Sequence, residues 1–141
     1  MRDMIVNACW SGSKESVNRT LKPKVIPRSD TRNILAEVYG DAITGLVITL
    51  TVVKVLPDEI KVPVWTKVSG GLDTEIVMTE LTPDTMYKAV VPIINKTDTT
   101  PFMPGDIFEF DIQFETSAAG EVGQRKTIFG NFTIIEDYTL N

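Results

Sequence analysis

The sequence predicts an all-β protein whose strands form an antiparallel β-sandwich of about seven strands. From Ile34 to Ile135, apolar and polar residues alternate with a period of two, which is typical of strands with one covered face. No segment of useful length has apolar residues at the spacing of an amphipathic helix, and turn residues recur at intervals of about a dozen residues. The chain of 141 residues is long enough for one domain.

Two strands carry the strongest signals. Segment 44–54 is the longest predicted buried strand, because β-branched residues dominate it. Segment 108–115 alternates most regularly, with phenylalanines and Ile112 inward and acidic residues and Gln113 outward. The other predicted strands are 34–39, 62–68, 74–80, 86–94 and 126–135, and Met4–Ala8 is compatible with a short strand.

The inward faces of these strands define the predicted core. In the last strand, Gly130 is expected to allow a bulge or a close approach of a neighbouring side chain. The predicted core residues are Ile48, Leu50, Val52, Met78, Val91, Phe108, Phe110, Ile112, Phe114, Phe132 and Ile134.

Strand 62–68 is predicted to lie at the edge of a sheet, because Pro63 cannot donate a ladder hydrogen bond. Alternation places Trp65 on its outward face. An exposed tryptophan there would stack on a sugar or anchor a protein interface. The alternative is that the N-terminal segment or a loop covers it.

Charge is distributed unevenly along the chain. Residues 1–32 hold seven basic and three acidic side chains, whereas residues 33–141 hold seven basic and sixteen acidic ones. This asymmetry predicts a basic, extended N-terminal arm over residues 1–32 and a sandwich domain over residues 33–141. We expect the arm to lie on an acidic surface of a neighbouring subunit. The alternatives are that it lies on the protein's own acidic body or that it is a solvated terminus. The predicted interface residues are Trp10, Lys14, Arg19, Lys22, Lys24, Arg28 and Trp65.

Composition argues against most enzymes and several binding classes. The chain has no histidine and a single cysteine, so we expect no catalytic residues, no cofactor and no metal site. Its net charge of −5 disfavours direct binding of nucleic acid. We expect no membrane insertion and no signal peptide, because no apolar run reaches about 18 residues and the first residues lack an apolar stretch.

The acidic face of strand 108–115 allows more than one interpretation. A calcium site or a pair of catalytic carboxylates would use such residues, but the loop geometry of a calcium site is lacking. We favour a solvated strand face. The residues concerned are Asp106, Glu109, Asp111 and Glu115.

Four segments together carry a family resemblance. They are Pro27–Thr31 leading into a strand, Ile43–Leu46 at the start of the buried strand, Gly105–Gln113, and Lys126–Ile134. In this order they resemble the small Ig-like virion proteins of tailed bacteriophages, including Ig-like domains of baseplate and tail proteins. The chain departs from the family pattern at Phe108, where the family commonly has tyrosine.

The resemblance implies an Ig-like fold and a structural role in the virion. A protein of this kind would be made in the host cytoplasm and would dock to other virion proteins in a symmetric, homo-oligomeric assembly. Its place would be the baseplate, the tail, a neck joint or the capsid surface. The resemblance implies no catalytic residues in this chain. The alternative function is a β-sandwich module that binds carbohydrate or a cell surface through Trp65.

Overall fold

The computed structural model describes residues 4–40, 43, 45–70, 75–95, 98, 101–116 and 123–136. These residues form nine strands and no helix, so no helix among them is long and apolar enough to cross a membrane. The strands are β1 (Ile5–Trp10), β2 (Lys24–Pro27), β3 (Arg32–Tyr39), β4 (Val47–Val55), β5 (Lys61–Val68), β6 (Val77–Thr82), β7 (Met86–Ile94), β8 (Ile107–Glu115) and β9 (Arg125–Ile135).

The described strands form two packed sheets. The four-stranded sheet has the order β1-β3-β7-β6, and the five-stranded sheet has the order β2-β9-β8-β4-β5. All neighbours are antiparallel except β2 and β9, which are parallel. This order matches the two sheets of an immunoglobulin-type sandwich, with the first strand divided between both sheets. The predicted Ig-like sandwich is therefore confirmed, with two more strands than the seven predicted.

The core lies between the two sheets, where the predicted alternation places it. Every residue of the predicted core is buried except Met78, which is half-buried. The rings of Phe108 and Phe132 stack with their centroids 4.9 Å apart. A Cβ on Gly130 would overlap the ring of Phe110, with Cε1 at 2.8 Å and Cζ closer still. The expected close approach at Gly130 is thus confirmed.

The predicted boundary at residue 32 is corrected by the strand pairing. β1 pairs along its whole length with β3, and β2 pairs with β9. Alternate residues of the first strand are buried in the core, namely Met4, Val6, Ala8 and Trp10. The described part of segment 1–32 therefore belongs to the sandwich, because it supplies apolar side chains that the core needs.

The predicted faces of β5 are also corrected. Opposite β4, Val52 pairs with Trp65 but Val53 pairs with Pro63, so Val64 is the extra residue of a bulge. Trp65 and Lys67 consequently face inward, while Val62 and Val68 are exposed. The predicted position of β5 at a sheet edge is confirmed.

Candidate docking surface

Trp10 was a predicted interface anchor, but its side chain is in the core. Its ring meets Phe110 edge-on, with centroids 5.6 Å apart, and it is only 5% exposed. Its indole Nε1 donates a hydrogen bond of 2.9 Å to the carbonyl oxygen of Lys22. Trp10 therefore fixes the segment between β1 and β2 to the sandwich and is not exposed to a partner.

The predicted basic interface residues make contacts within the chain. Lys22 pairs with Glu15 at 2.8 Å, and Lys24 Nζ lies over the Trp10 ring, 5.7 Å from its centroid. The carbonyl of Arg19 and the backbone N–H of Arg28 bond to β9, and Lys14 is exposed. A role for these five side chains toward another subunit stays a prediction.

Trp65 is not an open stacking platform. Its ring packs among Phe102, Phe108 and Phe132 at centroid distances of 6.1, 5.8 and 6.4 Å. Its Nε1 donates a hydrogen bond of 2.9 Å to the carbonyl of Ile93 in the opposite sheet. The interpretation of Trp65 as a covered side chain is thus the one that fits the structure.

Lys67 closes the same side of the sandwich. Its Nζ, on a side chain 8% exposed, donates to the carbonyl of Pro92 at 3.0 Å. It also pairs with Glu75 at 2.7 Å and with Asp98 at 2.8 Å. The hydrogen bond from Lys67 holds the pKa of Glu75 below its usual value. β5 is therefore joined to the end of β7 across the two sheets.

Three of the four edge strands carry features that discourage pairing with another chain. β1 is covered by Val17, which exchanges two backbone hydrogen bonds with Ala8 at 2.8 and 2.7 Å. β5 has a proline, a bulge and the inward-pointing Lys67. β2 is only four residues long and ends at Pro27.

The fourth edge strand, β6, is open. Within the described part of the chain no strand pairs with its outer side. Val77 is 59% exposed and Leu81 is 47% exposed, and Thr79 between them is exposed. Glu80 accepts a hydrogen bond of 2.7 Å from the Tyr87 hydroxyl, which raises the pKa of Tyr87 to about 12. A bulge at Leu81 shifts the register of β6 against β7 between Glu80 and Thr82.

The outer face of the four-stranded sheet continues from β6 in three rows, which the strand registers define. The first apolar row is Cys9, Leu35, Val90 and Val77. The polar row is Asn7, Glu37, Lys88 and Thr79. The second apolar row is Ile5, Tyr39 and Met86, and it ends at Leu81 and Thr82, which lie opposite Met86 across the bulge. Apolar residues thus extend to the open edge at both ends of β6.

The sequence reasoning missed this surface, although a signal was present. Met78 was predicted to face inward, and it is half-buried against the core. The opposite face of the same strand carries Val77 and Leu81, which are also apolar. A strand that is apolar on both faces is typical of one that is covered on both sides.

A second candidate surface lies on the outer face of the five-stranded sheet. It is a groove of about 460 Å³ whose lining includes Thr51, Asp111, Phe129 and Asn131. Phe129 is 53% exposed. Oδ1 of Asp111 is buried without a hydrogen-bond partner among the described residues, and burial raises the pKa of this carboxyl.

The acidic face of β8 is partly covered rather than fully solvated. Asp106 pairs with Lys54 at 3.3 Å, Glu109 with Lys61 at 2.8 Å, and Glu115 with Arg125 at 2.9 Å. Among the described residues, no three acidic or cysteine side chains are grouped so that they could hold a metal ion.

Comparison with known proteins gives no family. No family model matches the chain, and no curated protein sequence matches it. Among solved structures, it is similar to AggA, the major subunit of aggregative adherence fimbriae type I from Escherichia coli. The identity is 13% and the TM-score 0.43, over 94% of this chain and 95% of that one. It is also similar to PapD-like domain 7 of human CEP192, with 10% identity and a TM-score of 0.48, over 94% and 86% of the two chains. The Ig-like assignment rests on the strand order, since both scores are below 0.5.

Proposed function

We propose that the protein is a structural subunit of a tailed-phage virion and that it docks through β6 to another virion subunit, which is either a different protein or a second copy of this chain. The observation that carries this proposal is the outer edge of β6, with which no described strand pairs, in a sandwich whose other three edge strands carry protective features. The phage assignment is supported by the family resemblance of segments Gly105–Gln113 and Lys126–Ile134. The proposal assigns no catalysis, cofactor or direct contact with nucleic acid.

Docking at β6 would use the unpaired backbone groups of the strand. A strand added to an exposed sheet edge gains main-chain hydrogen bonds, and alternate side chains supply specificity. Here those side chains are Val77, Thr79 and Leu81, which continue the rows on the outer face of the four-stranded sheet. A partner strand with a polar residue flanked by apolar residues two positions before and two positions after it would match this pattern.

The experiment compares two lysine variants for incorporation into purified phage particles. Val77→Lys places a charge on the open edge, which is how natural edge strands prevent pairing. Val25→Lys on the edge strand β2 is the matched control, because Val25 is 58% exposed and Val77 is 59% exposed. We expect Val77→Lys to lower the copy number per particle at least about tenfold, and Val25→Lys to leave it unchanged. Copy number is measured by mass spectrometry of the particles, and equal incorporation of both variants would refute docking at β6.

A second candidate function, a carbohydrate-binding module, is favoured by the groove on the five-stranded sheet. Phe129 offers an exposed ring for stacking, and Asp111, Asn131 and Thr51 offer polar groups beside it. In this alternative the sugar would bind in the groove and not at Trp65, whose ring is covered. Titration with oligosaccharides from the host surface, followed by NMR, should shift the amides of β8 and β9. Loss of the shifts in Phe129→Ala would support this function, and absence of shifts in the wild type would exclude it.

A further inference from the structure

We propose that the partner at β6 is a second copy of this chain, and that two β6 strands pair antiparallel about a two-fold axis at Thr79. The two four-stranded sheets would then form one continuous sheet of eight strands. This inference rests on the proposed function, since it uses the same surface.

Symmetry restricts the possible registers. A two-fold axis that relates two antiparallel edge strands stands perpendicular to the sheet, so the outer face of one copy continues as the outer face of the other. Directly paired residues must therefore face the same side. This holds only when the axis passes midway between the two copies of one residue, which then lies opposite its own copy.

The side chains of β6 select one register among these. An axis at Glu80 would place two like charges directly opposite each other, which is unfavourable. An axis at Met78 would place Val77 opposite Thr79 and so join the first apolar row to the polar row. An axis at Thr79 places Thr79 opposite itself and Val77 opposite Leu81 of the second copy.

The register at Thr79 also matches the whole outer face. The first apolar row of one copy meets the second apolar row of the other at the Val77–Leu81 pair. The polar rows of the two copies meet at the pair of threonines. Lys88 lies opposite Thr79 within each copy, so the two lysines are separated by three strand spacings, about 14 Å. At that distance physiological salt largely screens their repulsion.

The first experiment measures the oligomeric state of the purified protein by sedimentation velocity over a range of concentrations. We expect the wild type and Val25→Lys to dimerise and Val77→Lys to raise the dimer dissociation constant at least about tenfold. A monomeric wild type at the highest soluble concentration would overturn the inference, as would a Val77→Lys variant that dimerises like the wild type.

The second experiment tests the register by disulfide trapping in a Cys9→Ser background, which removes the native thiol. Thr79→Cys should form an intermolecular disulfide under mild oxidation, because directly opposed Cα atoms lie about 4.5–5.5 Å apart. Val77→Cys is the matched control, because the two copies of this position would be four residues out of register, about 14 Å apart. Efficient trapping through Val77→Cys, or none through Thr79→Cys, would overturn the register.

The two proposals can fail separately. If the wild type is monomeric while Val77→Lys still loses incorporation into particles, the dimer is wrong and docking to another virion protein stands. If the wild type dimerises through β6 but Val77→Lys incorporates normally, the dimer stands and docking at β6 is not the virion contact.

Discussion

Gly130→Ala tests how tightly the core is packed around Phe110. The added methyl would overlap the ring, with Cε1 and Cε2 at 2.8 and 3.0 Å and Cζ closer still. The ring has little room to move, because it is 3% exposed and packs against Trp10 and Phe132. Gly130 is not among the described residues with positive φ, so alanine is compatible with its backbone.

The expected cost follows from two opposing effects. Overpacking costs about 1–3 kcal/mol, and replacing glycine in a strand recovers about 0.5–1 kcal/mol. With the ring held on two sides, we expect a net loss of about 2 kcal/mol in the free energy of unfolding. For a chain of 141 residues this lowers Tm by about 7 °C.

A double-mutant cycle measured by urea unfolding checks the cause. Phe110→Leu removes the ring atoms that the new methyl would overlap. In that background Gly130→Ala should be neutral or stabilising by up to about 1 kcal/mol. If Gly130→Ala costs the same in both backgrounds, the overlap with Phe110 is not the reason for the glycine.

Three further substitutions should separate the effects of charge from those of packing in chemical denaturation. Lys67→Met should cost about 1–3 kcal/mol at neutral pH, because it leaves Asp98 without its cation. That cost should shrink in acid. Lys67 lowers the pKa of Glu75, so the wild type loses the stabilisation from this ion pair as the pH falls through the lowered pKa of Glu75. Asp111→Asn should raise the denaturation midpoint at neutral pH but not in acid. Because burial raises the pKa of Asp111, the folded state favours the protonated carboxyl, and its ionisation at neutral pH lowers the stability of the wild type. An equal effect at both pH values would contradict burial as the cause. Glu109→Ala should change stability by less than about 0.5 kcal/mol, as its pair with Lys61 is exposed, and a loss above 1 kcal/mol would contradict that.

The sequence predicted the strands whose apolar and polar faces alternate cleanly. β7 was predicted with the bounds that the structure shows, Met86–Ile94, and the inward phenylalanines of β8 are buried. Such strands can be recognised in a sequence because burial of one face makes apolar residues recur at every second position.

Two features could not be read from local alternation. β2 has four residues, and its stability comes from a parallel partner far along the chain, so it leaves no pattern of its own. The bulge in β5 reverses the face of Trp65, and a bulge depends on pairing with β4 rather than on the sequence of β5 alone.

The N-terminal segment was misassigned for a different reason. The charge asymmetry favoured a separate arm, but none of the charged residues lies within segment 4–10, which contains β1 and where Met4, Val6, Ala8 and Trp10 alternate with the residues between them. The candidate docking edge was missed because β6 contains no proline that would mark it as an edge strand, as Pro63 does in β5.

The parallel pairing of β2 with β9 affects how the chain is made as well as how it is held. Lys24 lies beside Phe132, so a strand synthesised early must wait for one synthesised more than a hundred residues later. Contacts so distant in sequence slow folding, and a nascent chain that ends before β9 leaves the edge of β8 and its phenylalanine-rich face uncovered. Premature termination before Arg125 would therefore release a product prone to aggregation, and the five-stranded sheet is completed only after translation has passed Ile135.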